Sequence, residues 1–526
     1  MRTGLVVLLI LCSAALHAIA LPPWSVSFAA WIALVPFLCV LRDLTPGRGF
    51  LAGLLWGTAA IWGVGYWVPI AFATYYEQPF WFGVLFAIGA SMVFAGSYSA
   101  GFGASAAWLS RRTSGAPRAF LIASLWVVWE FARARLLTGD PWLLVGYALV
   151  LQRRLVQVAD LGGVYLLSFL VVLVNATVAE LLPLGRMSLR AVVRTVAPAA
   201  AVLVAATLYG AERLARPLPS EPELPLVIVQ GNNDLGTQWQ PAFYGRGLEQ
   251  YLSMSLDAAA ATHPGLIIWP ESAINFFLAD ESPYQSAIAR MLDATGADLL
   301  FGGPHQDGAD TGIPRYFNSA FYMTADGVLR GRYDKTHLLP FAEYFPLRTI
   351  ELLRRRFERV RSFTPGNEPL PLETRIGSVA TVICFEGIFP EVVREQMARG
   401  ARLLVNLSND AWLGAGAGPE QHLAMVALRA VENRTWVVRA TTTGISALID
   451  PLGRVTARTA TFVPALLEGR VVPVAIDTFY KRYGDVFAYA CLAAVALAFV
   501  VLWRVPSTAV SASATYSPAA ASPKST

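Results

Sequence analysis

Charge is what this chain has little of. Of its 526 residues only 15% are Asp, Glu, Lys or Arg, while 55% are hydrophobic, and the mean hydropathy is +0.49. An ordinary soluble domain carries about 25% charged residues, so the deficit excludes a simple cytosolic protein. Cysteine is also sparse. Cys12, Cys39, Cys384 and Cys491 are too few and too scattered for a disulfide framework or a zinc site, and neither a metal nor another cofactor is expected. A net charge of +5 is too small to argue for a nucleic-acid partner. Lysine is the scarcest charged residue, present only at positions 335, 481 and 524.

What fills the gap is a series of apolar runs. A membrane-crossing helix needs about 20 mostly apolar residues, because backbone polar groups find no water in hydrocarbon. Residues 1–211 supply seven such runs, near 4–21, 25–41, 50–73, 81–109, 119–135, 161–184 and 192–211, and an eighth follows at 486–503. The first also has the Arg2, apolar stretch and Ala18-Ile19-Ala20 of a signal peptide, but further spans follow at once. Arginine and lysine are retained on the cytoplasmic side. With the N-terminus inside, the inner loops hold Arg42, Arg48, Arg111, Arg112, Arg118, Arg186, Arg190 and Arg194. Only the loop at 136–160 disagrees, through Arg153 and Arg154. The segment after the seventh span is therefore expected outside, with both termini cytoplasmic. Glu130, within the fifth run, is either a functional intramembrane carboxylate or the partner of Arg133 or Arg135.

Between residues 222 and 475 the pattern becomes that of an α/β domain. Short apolar runs such as LPLVIVQGN, GLIIWPES, DLLFGGPH, SAFYMTADG, GSVATVICFEG, RLLVNLSND and GISALID are bounded by Gly, Pro, Asn or Asp, as strands are. Helical patterns lie between them at 242–261, 284–296, 390–400 and 419–435, an alternation that packs helices on sheets. Residues 504–526 have the composition of a disordered cytoplasmic tail.

Side chains at strand ends meet in a common crevice, and three stand out there. Glu271 follows a buried-looking LIIWP, Lys335 follows RGRYD as the only lysine of the domain, and Cys384 closes SVATVIC ahead of a helix opened by Pro390. Taken singly, the cysteine fits an inert buried hydrophobe, and the lysine and glutamate fit solvated loop residues. Together they fit covalent catalysis. The glutamate takes the thiol proton, the thiolate attacks a carbonyl, and the lysine with backbone N–H groups stabilises the oxyanion.

These residues, with Gln230-Gly231-Asn232, WPES at 269–272, KTHLLPFAEYFP at 335–346, CFE at 384–386 and NDAWLGAGAGPEQHLAMVALRAVENR at 409–434, resemble the nitrilase superfamily. With eight spans around them, they are similar to its membrane branch, the apolipoprotein N-acyltransferase family of the Gram-negative inner membrane. The resemblance implies an αββα sandwich outside the cytoplasmic membrane and a Glu-Lys-Cys triad on Glu271, Lys335 and Cys384. It places a second essential glutamate on Glu343, the acid after the nucleophile on Glu386, and a substrate-loop tryptophan on Trp239. Phe385 stands where tyrosine is more frequent, which keeps the backbone N–H and loses a hydroxyl.

The implied reaction takes an acyl chain from a phospholipid, chiefly phosphatidylethanolamine, onto Cys384 as a thioester, then passes it to the α-amino group of diacylglyceryl-cysteine in an apolipoprotein. Two other readings are a membrane-anchored amidase and a transporter or binding protein with an inert external domain. Residues 345–363 interleave Leu347, Ile350, Leu353, Phe357 and Val360 with six arginines, which fits either an interfacial lid or a solvated helix.

Overall fold

The structure is a computed structural model that describes residues 3–75, 77–182, 188–233, 241–308, 314–346 and 362–503. Trp239, most of the basic segment 345–363 and the tail 504–526 lie outside the described residues. Among the described residues, five helices are long and apolar enough to cross a membrane: Thr3–Ala20, Phe80–Ser110, Leu155–Leu181, Leu189–Ala215 and Val486–Trp503. Pro46–Val64 and Val68–Thr74 make a sixth if a pair bent by 55° counts as one span.

Two expected runs take other forms. Helix Gly115–Arg135 has 21 residues, about 31 Å at 1.5 Å per residue, but carries Arg118, Glu130, Arg133 and Arg135. Arg118 pairs with Glu180, and Arg135 with Glu391 at 3.3 Å and with Asp485. The run at 25–41 is broken into Ser27–Ala30 and Val35–Asp43, with Pro36 unable to continue a helix hydrogen-bond ladder. Asn175 mends the break. Its Oδ1 accepts from Leu34 N at 2.8 Å, and its Nδ2 donates to the carbonyls of Ala30 and Val171, each at 2.8 Å. Irregular backbone at such a place is tolerated because protein groups satisfy it.

Among the described residues, the α/β part holds twelve strands. They are β1 (Leu224–Gln230), β2 (Leu266–Ile268), β3 (Asp298–Asp307), β4 (Arg315–Met323), β5 (Leu329–Asp334), β6 (Leu372–Thr374), β7 (Gly377–Ile383), β8 (Leu403–Ser408), β9 (Val437–Thr441), β10 (Ala447–Ile449), β11 (Val455–Arg458) and β12 (Ala465–Val471). They form two six-stranded sheets, in the orders β12-β1-β2-β3-β4-β5 and β11-β10-β9-β8-β7-β6. The two-residue period of a strand explains the layering. Val227, Val229, Ile267 and Trp269 face outward to Tyr251, Ile288 and Met291 of helices Pro241–Thr262 and Ser282–Thr295. The alternate residues Leu226, Ile228, Leu266 and Ile268 share a core with Val379 and Val382 of the other sheet. Helices Pro390–Ala398 and Ala417–Asn433 cover that second sheet, completing helix, sheet, sheet, helix.

The second helical layer is also the seam with the long apolar helices. Buried charges persist only when paired and hydrogen-bonded, and the seam obeys this. Arg434 donates to Asp160 at 2.8 and 3.0 Å and to Gln157. Glu432 Oε1 accepts from Val164 N at 3.0 Å, one residue after Gly163. Gly163 has φ +62, and a Cβ there would lie 2.7 Å from the Tyr480 ring, so glycine is required at this kink.

Candidate active site

The ends of β2, β5 and β7 converge on one buried pocket between the sheets. Glu271 follows β2 in a turn pressed against β3, where a Cβ on Gly302 would lie 2.7 Å from the Glu271 Cα. Lys335 follows β5, with its N–H bonded to Asn318 O of β4 at 2.9 Å. Glu343 lies in the loop after Lys335. Cys384 follows β7 and begins a 3-10 turn, Cys384–Ile388, at φ +52, a region costly for a residue with a Cβ. This is the strand, turn and helix expected around the cysteine. Exposure is only 5% for Glu271, 1% for Lys335, 8% for Glu343 and 3% for Cys384.

Lys335 Nζ lies 2.8 Å from Glu343 Oε2 and 3.8 Å from Glu271 Oε1. Asn318 Nδ2 donates to both carboxylates, at 2.7 Å each. Glu271 Oε2 accepts from Asn409 N, and Glu343 Oε2 from Leu339 N, each at 2.7 Å. The electrostatics follow from this geometry. Burial pushes the Glu271 carboxyl above the usual carboxylate range; Lys335 pulls it down and Glu343 pushes it further up. Burial would lower the lysine, but Glu343 and Glu271 outweigh it and hold the ammonium charged. The Cys384 thiol is pushed up by burial and then by Glu271, against the pull of Lys335.

Glu386 is fully buried and ties the cysteine turn to the lysine loop. Its Oε1 accepts from Tyr333 OH (2.8 Å), Thr336 N (2.7 Å), Thr336 Oγ1 (2.8 Å) and His337 N (3.0 Å). Its Oε2 accepts from Ile383 N at 2.8 Å. The structure thus brings Glu271, Lys335, Glu343, Cys384, Phe385 and Glu386 together, whereas Trp239 lies outside the described residues. Glu130 has neither expected arginine partner. Its Oε1 accepts from Val145 N at 2.7 Å, while Arg133 turns to Trp142 O at 2.9 Å.

Sequence reasoning missed Asn318. An amide within the apolar run YFNSAFYM was the available signal, since a polar side chain there must find partners.

Beside the pocket is an apolar cavity of about 250 Å³. Trp67, Phe72 and Phe86 line it from the helical bundle, and Leu339, Phe385 and Trp412 from loops of the α/β part. Rings meet across the boundary, Trp67 with Trp412 at 5.9 Å and Phe86 with Phe341 at 5.3 Å.

Residues 229–477 match the carbon-nitrogen hydrolase family, and residues 13–177 match the apolipoprotein N-acyltransferase N-terminal domain. An apolipoprotein N-acyltransferase of Geobacter metallireducens is 36% identical over 504 residues, covering 94% of this chain and 95% of that protein. The chain belongs to the apolipoprotein N-acyltransferase family. The family member of Azotobacter vinelandii is 33% identical over 509 residues, again covering 94% of this chain and 95% of the relative. Among solved structures, an amidase from Nesterenkonia sp. aligns at 19% identity and TM-score 0.38, over 51% of this chain and 96% of that one.

Proposed function

We propose that this acyltransferase takes an acyl chain from a membrane phospholipid, such as phosphatidylethanolamine, onto Cys384 and delivers it to the N-terminal amine of diacylglyceryl-cysteine in apolipoproteins. The observation that carries the reading is the apolar cavity walled jointly by the helical bundle and by Phe385, the neighbour of the cysteine. Small-amide hydrolysis has no use for it. Moving an acyl chain from bilayer to such a cavity exchanges one apolar surrounding for another, so the cavity can guide the chain without trapping it.

In the first half, Glu271 takes the Cys384 proton as the sulfur attacks the ester carbonyl. The oxyanion faces the Lys335 ammonium and the Phe385 N–H, which opens a turn whose first amides lack intrahelical partners. The ester C–O bond then breaks, and the departing lysophospholipid oxygen receives the proton from Glu271. In the second half, the lipoprotein amine attacks the thioester and its proton passes to Glu271. The C–S bond breaks and the sulfur regains that proton. Burial keeps the thiol protonated until an acyl group arrives and limits the water that would hydrolyse the thioester. Glu343 keeps Lys335 charged and Glu386 sets the turn; neither exchanges a proton with substrate.

The setting belongs to the same proposal. With the broken run at 25–41 and the charged helix Gly115–Arg135 counted as crossings, eight spans divide the chain into a bundle at 1–211, a catalytic domain at 222–475 and a last span at 486–503. The catalytic domain lies on the periplasmic side of the inner membrane, with both termini cytoplasmic. The arginine-rich loops support this orientation. The test is transfer of a labelled acyl chain from phosphatidylethanolamine to a diacylated lipopeptide by the purified protein. Transfer that disappears in Cys384→Ala is expected; hydrolysis of small amides without transfer would favour the amidase.

A further inference from the structure

Two adjacent residues of helix Ala417–Asn433 reach opposite ways, His422 toward the nucleophile and Gln421 toward the helical bundle. His422 Nε2 lies 3.2 Å from the Cys384 carbonyl oxygen. A carbonyl only accepts, so Nε2 carries the proton. Nδ1 lies 3.1 Å from both Arg439 Nη2 and Asp410 Oδ1, so this second nitrogen is fixed between a guanidinium and a carboxylate. The same Nη2 donates to Asp410 Oδ2 at 2.7 Å, while Asp410 Oδ1 accepts from Ser408 Oγ at 2.8 Å. Burial and the neighbouring guanidinium lower the imidazole pKa, against the pull of Asp410 and of the Cys384 carbonyl. Asn406 Nδ2 also reaches the Cys384 carbonyl, at 3.4 Å. The strained backbone of the cysteine is therefore held through its carbonyl.

Gln421 uses all four hydrogen-bonding places of its amide. Oε1 accepts from Trp67 Nε1 and Trp142 Nε1, each at 3.1 Å. Nε2 donates to the carbonyls of Pro22 and Val64, each at 3.0 Å. Val64 ends the helix Pro46–Val64, where the bend leaves carbonyls without helical partners. Trp67 and Trp142 are walls of the apolar cavity. A single turn of helix therefore holds two walls of the apolar cavity with one side chain and the backbone carbonyl of the nucleophile with the next.

We propose that Gln421 and His422 are positioning residues that hold the cavity and the Cys384 turn in register. An ester carbonyl whose chain lies along Trp67 and Trp142 then meets the thiol. The inference rests on the acyl-transfer reading and adds a specificity role that neither residue fills by touching the reacting atoms.

The test measures acylation of Cys384 in the full-length protein by two donors: a phospholipid, and p-nitrophenyl acetate, whose two-carbon acyl group does not need the cavity. Gln421→Met keeps the volume but strands two tryptophan N–H groups. It is expected to slow acylation by phospholipid about 100-fold and by the small ester less than about threefold, because a misplacement of about 1 Å costs that much in an oriented reaction. His422→Ala is expected to slow both, and His422→Gln, whose amide can donate to the same carbonyl, to recover most of both. Equal slowing of both donors by Gln421→Met, no slowing by it, or no recovery in His422→Gln overturns the proposal. If Gln421→Met does not accumulate folded, Trp142→Phe removes one donor to Gln421 and is judged by the same discrimination. Wild-type protein acylated by the small ester but not by phospholipid would overturn the acyl-transfer reading itself.

Discussion

Lys335 Nζ lies 2.8 Å from Glu343 Oε2, closer than to the Glu271 carboxylate it shares the pocket with. One ammonium thus faces two carboxylates, and Glu343 raises the Glu271 pKa while keeping the lysine charged. Glu343→Gln removes one of the charges that push Glu271 up. The acid limb of the kcat profile should therefore move to lower pH. Left with one carboxylate, Lys335 binds Glu271 more firmly and weakens it as a base, so kcat should fall about 10- to 100-fold. An acid limb that stays in place or moves up would contradict this arrangement.

Glu386 accepts five hydrogen bonds, four from residues flanking Lys335 and one from Ile383, which precedes the cysteine. Glu386→Gln removes the charge and turns an NH2 group toward converging donors. Hydrogen bonds to a charged group contribute about 1.5–3 kcal/mol each, so losing two of them lowers stability by at least about 3 kcal/mol. For a domain of this size that is about 6–12 °C in apparent Tm. Thermal unfolding in detergent checks it, and an unchanged Tm would mean the carboxylate does not organise the turn.

Glu432 sits in the seam, 3.2 Å from Arg429. Burial pushes its carboxyl up from 4.5 to about 7, against the pull of Arg429. Between those values the folded protein binds a proton that the unfolded chain does not. The stability this group contributes is therefore full below pH 4.5 and is lost as pH rises toward 7. Apparent Tm should fall more steeply from pH 5 to pH 8 in the wild type than in Glu432→Gln. Parallel slopes would show that Glu432 does not titrate in the seam.

Glu271 and Cys384 were legible as candidates because each ends an apolar run, where the chain must leave the sheet, and Lys335 because it is the only lysine between residues 222 and 475. Asn318 was harder to find, since it lies inside a strand and its role depends on two carboxylates 25 and 47 positions away. Strand β9 escaped notice because Arg439 interrupts VVRAT, and a charge inside an apolar run ordinarily argues for exposure. Here Asp410 and Asn406 neutralise and hold it. The run at 25–41 read as one helix because hydropathy does not register that Asn175, far along the chain, can satisfy a broken backbone. The membrane-facing reading of residues 345–363 and the match at Trp239 rest on sequence alone.

The central claim is that an acyl chain passes through Cys384. Intact-protein mass spectrometry after incubation with phosphatidylethanolamine tests it most directly. The account predicts a mass increase of one acyl group on the wild type, located at Cys384, removed by hydroxylamine, discharged by diacylated lipopeptide and missing in Cys384→Ala. Acyl transfer to the lipopeptide that persists in Cys384→Ala, or an acyl group found on another residue, would contradict it.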